Sequence, residues 1–147
     1  MSEFEANIEQ LDGDLWMSCT APLKHSPQAR LGVGGPEGVN AINQLKRKNG
    51  VWSGTSTDGV GFVAACRHIG IEANGSTLRM RGGGSAARAI AAAWAAEGGR
   101  IIQSEGRRAL LSGPWDGAII DDGEADLAID LDAAAGGGAE AAPAEEA

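Results

Sequence analysis

Three consecutive glycines, Gly82-Gly83-Gly84, constrain this chain more than any other stretch. They follow a strand-like run, Ser76-Thr77-Leu78-Arg79-Met80-Arg81, and precede an alanine-rich helix-forming segment from Ser85 to Glu97 that ends at Gly98-Gly99. Arg100-Ile101-Ile102-Gln103 reads as the next strand. Strand, helix and strand in that order put the chain in the α/β class. Gly82-Gly83-Gly84-Ser85-Ala86-Ala87 fits G-x-G-x-x-G/A at a strand–helix junction. Gly82 permits the tight turn, Gly84 lets a pyrophosphate approach bare backbone, and the small Ala87 lets the helix pack close to the strand. The first amides of the helix then face the phosphates. A plain strand–turn–helix would use the same glycines for the turn alone. Arg79 and Arg81 stand where a buried parallel strand is apolar, so this strand is expected at an edge or poorly covered. Beyond the second strand, Ser104-Glu105-Gly106-Arg107-Arg108 offers an acid for a ribose hydroxyl and arginines for a 2′-phosphate, which leaves NAD and NADP both open.

Upstream, apolar residues at Phe4, Ile8, Leu11 and Leu15 predict a short amphipathic helix closing near Asp12-Gly13. Leu15 to Thr20 reads as a strand stopped at Pro22, and residues 26–38 as a loop or loose helix. Val39 to Leu45 is expected as a strand. The basic Lys46-Arg47-Lys48 then forms a solvated tip, and Asn49-Gly50 turns the chain into Val51-Trp52-Ser53-Gly54. Thr57-Asp58-Gly59 opens a helix through about Ile69, capped by Thr57 or Asp58 and closed by Gly70. Trp115 to Ile120 is expected as a hairpin arm and Ala125 to Leu131 as a third strand of the later sheet. Residues 133–147 form a low-complexity Ala/Gly/Glu tail expected to be disordered.

Composition removes whole classes. No apolar run reaches the ~20 residues of a membrane helix, and the acidic start lacks a secretion-signal layout. Two cysteines, Cys19 and Cys66, are too few for a disulfide scaffold or zinc cluster and are expected as buried small hydrophobes. His25 and His68 stand in no ligand-like spacing, so no metal is expected. The expectation is a cytoplasmic protein bound neither to membrane nor to nucleic acid. The net charge of −8 hides an uneven distribution: all 12 Lys and Arg fall within residues 24–108. A basic middle between acidic ends suits an anionic small-molecule ligand, although a solubilising acidic tail gives the same totals. Trp16, Trp52, Trp94 and Trp115 are scattered and expected in cores or between lobes.

Three further stretches carry a resemblance. Thr20-Ala21-Pro22-Leu23-Lys24 matches T-x-P-x-K, Ala41-Ile42-Asn43 follows, and Thr57-Asp58-Gly59-Val60-Gly61-Phe62 matches T-D-G-x-G-F. In that order, ahead of the glycine turn, they resemble the shikimate and quinate dehydrogenase family from about Leu11 to Leu131. The resemblance implies a partial substrate-binding lobe over residues 1–70, followed by a partial Rossmann-like NAD(P)-binding lobe over residues 71–132, shortened at both ends. It implies reversible reduction of 3-dehydroshikimate to shikimate by NADP(H), or NAD(H). Lys24 and Asp58 would be the acid/base pair. Thr20 and Asn43 would contact a small hydroxy-acid substrate, and Gly82, Gly83, Gly84, Ser85, Ala86, Glu105, Arg107 and Arg108 would contact the cofactor. The chemistry is coherent, because a carbonyl taking hydride needs a proton donor aimed at its oxygen.

The family pattern is not followed everywhere. Ser18 and Ser56 stand where the family has asparagine, Gln44 where it has threonine, and Glu105-Gly106-Arg107 where it has Asn-Arg-Thr. Asp130-Leu131-Asp132 stands where it has Asn-Ala-Thr, which puts two carboxylates near the cofactor path. The alternative is a non-catalytic relative that binds a nucleotide or a partner. A three-strand parallel remnant leaves edges and a sheet face exposed, so self-association or a partner subunit is expected.

Overall fold

The computed structural model describes residues 3–20 and 23–132. The stop expected at Pro22 and the tail at 133–147 lie outside them, as do the side chains of Phe4 and His25. The chain begins with α1 (Glu3–Glu9), followed by β1 (Leu15–Ser18), a 3-10 turn (Leu23–His25) and α2 (Ser26–Leu31). The hairpin β2 (Gln44–Lys48) and β3 (Val51–Thr55) leads into α3 (Asp58–His68). Next come β4 (Thr77–Arg81), α4 (Ser85–Ala96), β5 (Arg100–Ser104), a second 3-10 turn (Asp116–Ala118), β6 (Ile119–Ile120) and β7 (Leu127–Asp130).

The first sheet is antiparallel in the order β1-β2-β3. Asn49 and Gly50 both take positive φ, +50° and +75°, and pair Lys48 with Val51 across the turn. That is the backbone a two-residue hairpin with right-twisted strands requires. Alternation then sends Leu45 inward, where it packs with Ile8, Cys19, Val33 and Ile42, with Leu15, Met17 and Trp52 around them. The opposite face is solvated: Trp16, expected in a core, is 79% exposed and donates its indole N–H to Gln44.

Two expectations about this sheet are corrected. The helix at the start ends at Glu9 rather than near Asp12-Gly13. Gly13 turns at φ +79°, and the Arg47 guanidinium takes the carbonyls of Leu11 and Gly13. The strand expected over 39–45 instead runs over Gln44–Lys48 and includes the basic residues assigned to the tip. Ala41, Ile42 and Asn43 are buried in succession, which no alternating strand permits, and Asn40 sits at φ +52°. Arg47 lies over the Trp52 ring at 5.2 Å instead of in solvent.

The second sheet is wholly parallel in the order β6-β5-β4-β7. One face is covered by α4 and α3. Leu78, Met80 and Ile101 meet Ala87, Ile90, Ala91 and Trp94 from α4, and Val63 and Cys66 from α3. Trp94 reaches across to donate to the Arg100 carbonyl at 3.0 Å. Small residues set the helix spacing, since a Cβ on Gly59 would stand 2.1 Å from the Ala89 carbonyl oxygen.

The glycine-rich turn therefore leaves a central strand, not an edge. The arginines of β4 point to the other face, where Arg79 reaches the Gly123 carbonyl and Arg81 pairs with Asp130 at 2.9 Å. That face is unevenly covered: Thr77 and Ile102 on it are buried, at 3% and 2% exposed, while Arg79 and Arg81 are partly exposed. The hairpin arm expected at 115–120 is instead a 3-10 turn and a two-residue strand parallel to β5. Asp116 accepts from Ser112 and from the Gly113 N–H, which closes the turn before a hairpin can form.

Candidate active site

Backbone pairing brings the three sequence stretches together before any side chain acts. Cys19 donates to the Asn43 carbonyl at 2.7 Å, Asn43 to the Thr55 carbonyl at 3.1 Å, and Ile42 to the Lys24 carbonyl at 3.0 Å. Asn43 is thus held by the neighbours of β1 and β3, with Lys24 alongside. The exposed Thr20 accepts the Leu23 N–H at 2.7 Å and so starts the 3-10 turn that carries Lys24.

The side chains then close on one another. Lys24 Nζ donates to Asp58 Oδ2 at 2.5 Å, with the two side chains 15% and 28% exposed. Asn43 Nδ2 donates to Asp58 Oδ1 at 2.8 Å and to Thr57 Oγ1 at 2.9 Å, while its Oδ1 accepts the Thr57 N–H at 2.8 Å. Both carboxylate oxygens are therefore held by protein donors. The cap expected from Thr57 or Asp58 is absent, because α3 begins with no side-chain cap bond and both groups are engaged by Asn43 and Lys24. Asn43, expected to touch substrate, spends both amide hydrogens within the site. The ammonium carries three donors, and two remain for a ligand oxygen once Asp58 has taken one.

At the other expected site the glycines divide their work. Gly82 turns at φ +116°, with Leu131 against the position of its missing Cβ. A Cβ on Gly83 would stand 2.0 Å from the Ala109 carbonyl oxygen, so this glycine lets two backbones touch. Only at Gly84 of the three is the space open, with Arg108 Nη1 at 3.7 Å the one neighbour among the described residues. Gly84 is also the N-cap of α4 and gives it no side-chain cap. That leaves an open backbone edge beside an arginine and a helix N-terminus, a geometry that fits phosphate. Ser85 and Ala86 open α4 and are half-buried, while Ala87 is 1% exposed beneath them.

The run after β5 is more internally engaged than its sequence suggests. The Glu105 carbonyl accepts from Arg81 at 3.0 Å, leaving its exposed carboxylate uninvolved in that bond. Arg107 gives its N–H to Asp132, which also lies 3.6 Å from Arg81 and 3.7 Å from the Arg107 side chain. The Asp132 side chain is 5% exposed and lies between the Arg81 and Arg107 guanidinium groups. Arg108 is exposed beside Gly84. Cys19 and Cys66 are free, buried thiols, and burial pushes both above the usual thiol range.

Arg88 is the site-proximal residue that sequence reasoning missed. It donates to Gly83, Val39 and Asn40 carbonyls, and backbone acceptors leave no mark in a motif. Among the described residues no group of three His, Cys, Asp or Glu stands close enough to hold a metal ion, and no helix is long and apolar enough to cross a membrane.

No family model matches the chain. Curated relatives do. It is 37% identical over 102 residues to the shikimate dehydrogenase (NADP(+)) of Xanthomonas campestris pv. campestris strain B100, covering 62% of this chain and 34% of that one. It is 37% identical over 92 residues to the quinate/shikimate dehydrogenase of Shigella flexneri serotype 5b, covering 63% and 34%. Among solved structures, shikimate 5-dehydrogenase from Thermus thermophilus, in complex with NADP(H) and shikimate, superposes with a TM-score of 0.54 at 29% identity, covering 60% and 34%. The chain thus spans about a third of the length of the curated relatives it matches.

Proposed function

We propose, with the relationship to the shikimate and quinate/shikimate dehydrogenases as premise, that this chain is an oxidoreductase interconverting 3-dehydroshikimate and shikimate with NADP(H). The observation that carries this reading is the Lys24–Asp58 pair at 2.5 Å, with Asn43 on the second carboxylate oxygen. Reduction of a ketone builds negative charge on its oxygen, and Lys24 delivers a proton there; in the oxidative direction the same nitrogen takes the hydroxyl proton. Asp58 holds the ammonium in place, and Asn43 holds Asp58. The exposed Thr20 hydroxyl is available to a substrate hydroxyl.

The open edge at Gly84, the start of α4 at Ser85 and Ala86, and the Arg108 guanidinium fit the phosphates of a dinucleotide. Gly82 and Gly83 shape that edge, and Glu105 and Arg107, on the run after β5, would contact the rest of the cofactor. When bound, the nicotinamide supplies or takes up the hydride. The test is shikimate-dependent reduction of NADP, followed by absorbance of the reduced nicotinamide. Turnover supports the reading, whereas NADP binding by a folded chain without turnover would identify a nucleotide-binding module.

A further inference from the structure

We propose that Arg88 is a positioning residue that ties the glycine-rich turn to the segment carrying Asn43, and so fixes the dinucleotide's phosphates relative to Lys24 and Asp58. The inference rests on the dehydrogenase reading. One guanidinium addresses both sides. Toward the turn, Nη1 donates to the Gly83 carbonyl at 3.1 Å and Nη2 to Ser85 Oγ at 3.4 Å. Toward the other segment, Nε donates to the Val39 carbonyl at 2.7 Å and Nη2 to the Asn40 carbonyl at 2.9 Å.

What lies on each side gives the link its consequence. Asn40 stands at φ +52°, a conformation unusual for a residue with a side chain. Three residues further on is Asn43, the group that holds Asp58. On either side of Asn40, Val39 and Ala41 pack on Ala89, the neighbour of Arg88, and Ile42 donates to the Lys24 carbonyl. On the other side, Gly83 and Ser85 flank Gly84, the open glycine of the turn. The guanidinium thus stands between the phosphate edge and the strand entry that orients the acid/base pair.

Arginine is the residue type such a link needs. A planar fork reaches several acceptors at once, whereas a lysine ammonium supplies a compact point charge. Burial and the nearby Arg108 charge hold Arg88 below its ordinary pKa, so keeping a cation here has a cost that the carbonyls offset. Hydride transfer tolerates little error in placement: an ångström of displacement costs roughly a hundredfold in rate. A strut serving the fold alone would lower stability and leave the turnover of folded molecules unchanged.

The test compares Arg88→Ala and Arg88→Lys with the unaltered chain under saturating shikimate and NADP. The expected result is a kcat lower by roughly a hundredfold in Arg88→Ala, a smaller loss in Arg88→Lys, and partial rescue of Arg88→Ala alone by added guanidinium ion. An unchanged kcat with only a lower melting temperature would overturn the proposal. If Arg88→Ala does not fold, Arg88→Lys alone carries the comparison. If the unaltered chain shows no turnover, the dehydrogenase reading fails by itself and hydrogen exchange decides the link. Faster exchange in Arg88→Lys at both 39–43 and 82–85, with 45–48 unchanged, supports it; absence of that paired change overturns it.

Discussion

Asn43 does more at the residue scale than its single amide suggests. Its carbonyl oxygen takes the Thr57 N–H and its NH2 group serves Asp58 and Thr57, so one side chain joins the sheet to the start of α3. Asn43→Ala leaves the Thr57 N–H and one Asp58 oxygen without that partner. We expect a loss of about 1–3 kcal/mol in a urea melt, together with a fall in turnover. That Lys24, Asn43 and Asp58 stand together was foreseen only through the family resemblance of the motifs that carry them. Arg88 was not, because its acceptors are carbonyls that any sequence supplies. The capping role read for Thr57 and Asp58 failed for a related reason: both residue types suit a cap, but a tertiary partner claimed their oxygens first.

At the scale of elements, the approach of α3 to α4 is set by glycine. A Cβ at Gly59 would meet the Ala89 carbonyl oxygen at 2.1 Å, whereas nothing among the described residues lies within 4 Å of the same position on Gly61. The two glycines share one helix, so they separate packing from propensity. Gly59→Ala is expected to lower stability by about 1–3 kcal/mol through overpacking. Gly61→Ala is expected to raise it by roughly 0.5–1 kcal/mol, and thermal melts of the two variants check both. Local chemistry made the Asn49-Gly50 hairpin, the glycine turn and α4 readable. The segment at 39–43 was misread because its burial comes from two different cores: Val39 and Ala41 meet Ala89, and Ile42 enters the first sheet's core. β6 has two residues and exists only because β5 offers a partner.

Across the whole molecule, one face of the parallel sheet sets charge beside the buried Ile102. Arg79 and Arg81 lie on its central strand and are balanced by Asp122, Asp130 and Asp132 from the loops and strand beside them. The Asp132 backbone N–H, with the Arg81 guanidinium, holds the Asp130 carboxyl below the usual range. A carboxyl depressed in the folded chain lends stability above its unfolded pKa and loses it as pH falls through the folded value. Asp130→Asn should therefore lower stability at neutral pH and flatten the acid limb of a stability–pH curve, leaving the difference between the two proteins smallest at the lowest pH. The α/β class was legible in the order of elements. The central place of β4 was not, since β7 pairs with it only after α4, β5 and β6 have intervened, and local pattern holds no trace of that pairing.

The central claim is that Lys24, held by Asp58, moves a proton at the reacting oxygen. Its most direct test is shikimate-dependent NADP reduction by the chain and by Lys24→Ala, with matched thermal transitions and NADP binding measured for both. The account predicts turnover by the unaltered chain and a loss of roughly 10²–10⁴ in the variant, with NADP binding retained. Equal turnover in the two proteins would contradict it, as would a folded, NADP-binding chain that leaves shikimate untouched.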